Sequence, residues 1–206
     1  MCAVEFKHYG SSPSAHPPAV FVYSEALEHG GYPPSCPFNT HRAGQVHAIL
    51  SRMGLIGGAR RVVPPEPLTD EEVLRFHTAE YLAVLKAAQE GRYDERAFAM
   101  GLGTPDCPIF SGMYDYIRLA AGGSVTAARG LLRGEALVAF NPSGGFHHAQ
   151  AGRAAGFCYI NDVVLAAIEL TRAGRRVAIV DIDVHHGDGQ QAAFYEPVSY
   201  THLRAH

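Results

Sequence analysis

Asp181, Asp183 and His185 fall two apart within Ala178–Gln190, AIVDIDVHHGDGQ. In an extended chain that spacing points all three to one face. Two carboxylates and an imidazole so placed repel and desolvate one another unless a cation or a proton network compensates them. Oxygen and imidazole nitrogen both suit zinc, so Asp183 and His185 read as ligands of a divalent metal. A second cluster is Gly144–Ala149, GGFHHA. Adjacent His147 and His148 suit proton transfer, because imidazole titrates near neutral pH. The glycines let the backbone turn tightly and approach a ligand. Joined, the clusters read as one site in which Asp181 and Asp188 orient the two histidines. The metal would lower the pKa of a water and polarise a carbonyl, and a histidine would take the water's proton. The reaction class is metal-assisted hydrolysis.

The elements around these residues must bring them together. Ala136–Phe140 reads as a buried strand, Asn141–Phe157 as a long loop, and Asn161 or Asp162 as the cap of a helix running to about Leu170. Arg176–Ile182 reads as the next strand. Strand, helix and strand joined this way form a parallel crossover unit. Both clusters then lie just past strand ends, where sites in open α/β sheets gather. Upstream, Ala19–Tyr23 is an apolar strand and Arg61–Val63 a short edge strand. A helix is expected from about Thr40 to Met53, with Val46, Ile49, Leu50 and Met53 on one stripe. Thr69–Glu72 forms a capping box that opens a helix to about Glu90. Gly101–Gly112 is a loop carrying Asp106. Met113 to about Leu132 is helical in pattern, with Gly122-Gly123 marking close packing or a kink.

The 206 residues suffice for one sizeable core and at most a small second domain. With 47% hydrophobic and 18% charged residues, the composition is that of a folded domain. A net charge of −3 gives no basic face for nucleic acid. Cys2, Cys36, Cys107 and Cys158 form no CxxC pair or disulfide framework, so a reducing, cytoplasmic setting is expected. No run reaches transmembrane length and no signal pattern opens the chain, so no membrane partner is expected. Cys158 reads as buried packing, and His77 and His8 as structural or surface residues.

GGFHHA, then GFCYINDVVLA, then VDIDVHHGDG resemble the zinc-dependent histone deacetylase superfamily, which includes bacterial acetoin-utilisation and acetylpolyamine amidohydrolase proteins. THRAGQVHAIL, FHTAEYL and TPDCPIFSGMYDY agree, so the resemblance covers roughly residues 23–195. It implies an α/β fold: a three-layer α/β/α sandwich around a mostly parallel eight-stranded sheet, as in arginase. It implies that Asp183 and His185 are the first two zinc ligands and that His148 is the general base, with His147 assisting. It pairs Asp181 with the first histidine and Asp188 with the second. It places a potassium ion near the backbone carbonyls of Asp181, Asp183 and His185. Phe157 matches an aromatic wall of the acyl-lysine tunnel, Gly156 the substrate contact beside it, Asp106 a loop aspartate that holds substrate backbone, and Arg42 an arginine lining an inner channel. The implied substrates are acetylated lysine peptides or acetylated small amines and polyamines.

The family's third metal ligand, an aspartate, and its transition-state tyrosine are not reached by this sequence. Residues 1–197 are therefore expected to be the N-terminal part of one deacetylase-like catalytic domain, incomplete at the C-terminus, with 198–206 a tail of doubtful origin. Tyr195 and Tyr200 come too early to replace the tyrosine. The expected activity is zinc-dependent deacetylation by the full-length parent, weak or absent in this fragment. The alternatives are an arginase-like dimanganese hydrolase, which would want more carboxylates around DVHHGDG, and a non-catalytic fragment with a binding or structural role.

Overall fold

The structure, a computed structural model, describes residues 18–29 and 31–195. His8, Cys2 and the segment 198–206 lie outside the described residues. The fold is mixed α/β, with a parallel three-stranded sheet flanked by helices. Strand β1 (Ala19–Val22) lies between β2 (Arg60–Val63) and β3 (Val138–Phe140). Ala19 registers with Arg60 on one side and Val138 on the other. The near-continuous apolar run of β1 suits a central parallel strand, which is covered on both faces.

The helices are α1 (Arg42–Arg52), α2 (Asp70–Val73), α3 (Ala79–Gln89), α4 (Glu95–Ala99), α5 (Met113–Leu132), α6 (Asp162–Arg172) and α7 (Asp188–Phe194). Helix α5 is the spine: it packs against α6, β1 and β3. Its Gly122 answers the question that the sequence leaves open. A Cβ there would lie 2.0 Å from the Glu66 carbonyl oxygen, so the residue permits close packing. The largest core groups, Tyr81, Tyr159, Leu85, Met113 and Ile117, join α3 and α5 to the loop before α6.

Four expectations need correction. The helix expected through Glu90 divides into α2 and α3. Thr69 and Glu72 do form the capping box, but Thr78 starts a new helix by accepting the Tyr81 N–H. The Thr78 N–H meanwhile donates to the Ala151 carbonyl, which draws the break inward and buries His77. The stripe on α1 is only partly inward: Val46 and Leu50 are half-buried, Ile49 and Met53 are exposed, and Ala43 and Gly44 are the buried residues. A Cβ on Gly44 would overlap the Glu28 carboxylate, so this helix docks through its smallest residues.

The other two concern the sheet. β3 is shorter than expected, and its Val138 and Phe140 are exposed because no further strand lies beside it among the described residues. Residues 176–182 form no strand. Val177 and Ile179 pack with Val164, Ala167 and Phe194, and the alternate side chains face out. Val180 is 63% exposed, Ile182 72% and Val184 93%. The period-two pattern is present, but a strand needs a neighbour to exchange backbone hydrogen bonds with.

Candidate functional site

The loop Asn141–Phe157 carries His147 and His148 inward to the N-terminal end of α6. The chain then returns through residues 176–187 and presents Asp181 and Asp188 to them. The carboxylate of Asp181 lies 2.7 Å from His147 Nδ1, and that of Asp188 lies 2.7 Å from His148 Nδ1. The imidazoles are neighbours, with ring centroids 4.1 Å apart. His147 is buried and His148 partly so. A carboxylate on Nδ1 keeps a proton there and leaves Nε2 as the free nitrogen. Each histidine can then accept a proton or a hydrogen bond at Nε2.

Burial works against the charge on Asp181, but His147 and the Asp183 N–H outweigh it and hold the carboxyl below its usual range. For Asp188 burial is again opposed, by His148, the Gln150 amide and the Gly189 N–H, and the pKa is again lowered. Gln190 also donates its side-chain amide to Asp181.

Glycines make the approach sterically feasible. A Cβ on Gly156, which has φ +50°, would sit 2.5 Å from the His148 ring. One on Gly189 would sit 2.3 Å from the Ala149 carbonyl oxygen, so the start of α7 can rest on the histidine loop.

Asp183 and His185 do not make a metal site. The expectation that Asp181, Asp183 and His185 share a face fails because the segment is not a pleated strand. Asp183 Oδ1 accepts the His185 backbone N–H at 2.8 Å and faces its Nδ1 at 2.9 Å. The two side chains are 50% and 72% exposed and engage each other. His185 stays 6.0 Å from His148, ring to ring. Among the described residues no group of three or more His, Cys, Asp or Glu could hold a metal ion. This overturns both the expected zinc and the expected potassium, and with them a zinc-dependent mechanism for this chain. Zinc in a catalytic site takes three protein ligands; here two candidates point into solvent and bond to each other. The carbonyls proposed for potassium belong to the same exposed segment, which is folded by side-chain-to-backbone turns at Asp181 and Asp183.

Phe157 has φ +67°, a left-handed conformation that is strained for a bulky residue. Its carbonyl accepts from the Tyr32 hydroxyl, and its ring stacks on Phe38 with centroids 5.7 Å apart. Arg42 lies exposed at the start of α1, with its guanidinium 5.4 Å from the centre of the Phe38 ring. Asp106 is exposed in the loop between α4 and α5. Sequence reasoning missed the contributions of Gln150 and Gln190; neither carries a spacing signal, and only the folded loop brings them to the carboxylates.

The family model for the histone deacetylase domain matches residues 36–206. This chain belongs to the histone deacetylase family. It is 41% identical over 181 residues to histone deacetylase 2 of Oryza sativa subsp. japonica, covering 85% of this chain and 35% of that one. It is 36% identical over 196 residues to histone deacetylase RPD3 of Saccharomyces cerevisiae, covering 94% and 45%. The crystal structure of a histone deacetylase homolog from Aquifex aeolicus superposes with a TM-score of 0.77 at 32% identity, covering 88% of this chain and 49% of that one. The chain therefore has the arginase/deacetylase-like fold and spans between about a third and a half of the length of these relatives. No described helix is long and apolar enough to cross a membrane.

Proposed function

We propose that this chain is the histidine-bearing part of a single deacetylase-like domain and serves in binding, with no hydrolysis of its own. The observation that carries this reading is the contrast between two carboxylate pairs. Asp181 and Asp188 tether His147 and His148 at 2.7 Å each, whereas Asp183 and His185 bond to each other in solvent. The first arrangement leaves two Nε2 atoms able to accept a hydrogen bond from a ligand amide N–H. The second leaves nothing to activate a water.

The ligand class that fits is an acetylated lysine or acetylated amine. Phe157 and Gly156 would line the acyl chain, Asp106 would hold the ligand's backbone, and Arg42 would lie behind the aromatic pair. Free, buried Cys36, Cys107 and Cys158 support a reducing, cytoplasmic setting.

The test is binding of an acetyl-lysine peptide by fluorescence anisotropy, run beside an acetate-release assay with and without added divalent metal. The expected result is saturable binding, weakened by Phe157→Ala and by His148→Ala, with no acetate released. Metal-dependent acetate release, or no binding at all, would refute the reading.

A further inference from the structure

We infer that Asn161 and Asp162, at the N-terminus of α6, are positioning residues that clamp the backbone on both sides of the His147–His148 pair. The two side chains do opposite jobs. Asp162 is fully buried and only accepts. Its carboxylate takes the Phe146 N–H at 2.7 Å, the Gly145 N–H at 3.0 Å and the Ser124 hydroxyl. Upstream of the histidines, then, two consecutive backbone donors end on one carboxylate. Asn161, also fully buried, works downstream. Its Nδ2 donates to the Ala149 carbonyl at 2.9 Å and the His147 carbonyl at 3.4 Å. Its Oδ1 accepts the Val164 N–H at 3.0 Å and so caps α6. Its own N–H donates to His77 Nε2 at 3.1 Å.

The order of the two residues is set by chemistry. Position 162 meets two backbone N–H groups and the Ser124 hydroxyl, so a carboxamide there would leave one oxygen, in place of two, to take both N–H groups and would reverse the Ser124 bond. Position 161 must donate to carbonyls and accept from an N–H at once, which a carboxylate cannot do. The N-terminus of α6 favours the negative charge of Asp162, which offsets part of the cost of burying it. Burial pushes its carboxyl up, while Ser124 and the Gly145 and Phe146 N–H groups pull it back. Gly144 completes the fit: a Cβ there would lie 2.3 Å from Asp162 Oδ2 and 2.6 Å from Ser124 Oγ. The direction of His147 Nδ1 toward Asp181 thus depends on a helix terminus whose side chains bond to the loop backbone on either side.

The experiment is proton–nitrogen NMR of the 206-residue chain, reading the low-field Nδ1–H signal of His147 that its contact with Asp181 produces. No ligand is used, so the outcome is independent of the binding reading. Asp162→Asn is expected to abolish or displace that signal. Asn161→Ser is the second variant. It keeps an N-cap, and so α6, but removes both donations to the loop carbonyls; it is expected to displace the signal in a folded protein. Arg129→Met is the control: it loses the pair with Glu169, about two turns along α6 from the clamp, breaks none of the bonds to the loop, and should leave the signal in place. An unchanged signal in Asn161→Ser, or equal loss in Arg129→Met, would overturn the inference.

Discussion

Replacing His77 by Gln should remove a pH dependence of stability that is otherwise hard to see in this chain. His77 is buried between Phe76 and Tyr81, with ring centroids 4.8 and 5.6 Å away. Its Nε2 accepts the Asn161 N–H, and its Nδ1 has no hydrogen-bond partner. No ion pair reaches it among the described residues. Burial pushes its pKa down from 6.5 to about 4, with the backbone of Ala151 and Gln150 pulling weakly the other way. Unfolded, the ring binds a proton below 6.5; folded, only below about 4. The unfolded state therefore holds more protons in that window, and stability falls as pH falls through it. At ~1.4 kcal/mol per unit the full loss is about 3 kcal/mol, with about 2 kcal/mol of it spent by pH 5. His77→Gln keeps an acceptor for the Asn161 N–H but cannot titrate. Urea unfolding at pH 7.5, 6.5 and 5 should show wild type losing about 2 kcal/mol relative to the variant. Parallel profiles would mean that the ring takes up its proton equally in both states. The argument from burial would then be wrong.

Three further outcomes are expected. Gly122→Ala should destabilise by about 1–3 kcal/mol through overlap with the Glu66 carbonyl, whereas Gly130→Ala, with open space around it in the same helix, should stabilise by up to about 1 kcal/mol; urea midpoints compare the two. Arg129 joins Glu72 and Glu169, which are largely buried, so Arg129→Met should cost about 2 kcal/mol at pH 7, discounted for partial exposure. That cost should shrink as the glutamates protonate in acid, since Arg129 is one of the groups that hold both below their usual range against burial, with the Thr69 N–H acting on Glu72 and Arg75 on Glu169. Phe157→Gly should destabilise less than the 3–5 kcal/mol usual for truncating a large aromatic residue, because relief of the positive φ returns about 1 kcal/mol; thermal melting of Phe157→Gly against Phe157→Ala isolates the backbone part.

What the sequence made legible was what local chemistry decides. The capping box at Thr69, the span of α5, a cap at Asn161 or Asp162 and the strand β1 follow from caps, periodicity and apolar runs, and the α/β class follows with them. The residues of the two clusters were also visible as chemistry. Their geometry was not, because it depends on pairing. The spacing of Asp181, Asp183 and His185 implies one face only if residues 176–182 sit in a sheet, and here they do not. The same dependence hid the exposed edge of β3. His77 read as a bystander because a lone histidine carries no spacing signal; only the break between α2 and α3 turns it inward. Asp162 was visible as one of two candidate caps, yet its tie to Gly145 and Phe146 spans a loop that no periodicity describes.

Val180, Ile182 and Val184 project into solvent from a segment without strand partners, the kind of exposed apolar backbone that chaperones and proteases engage. Inside a cell, the lifetime of this protein would thus be governed less by its well-filled core than by these three side chains. Asp181, which holds His147, lies within that same segment, and Asp188, which holds His148, follows it. A chaperone or protease gripping that piece of backbone would therefore also pull on the carboxylate that orients His147.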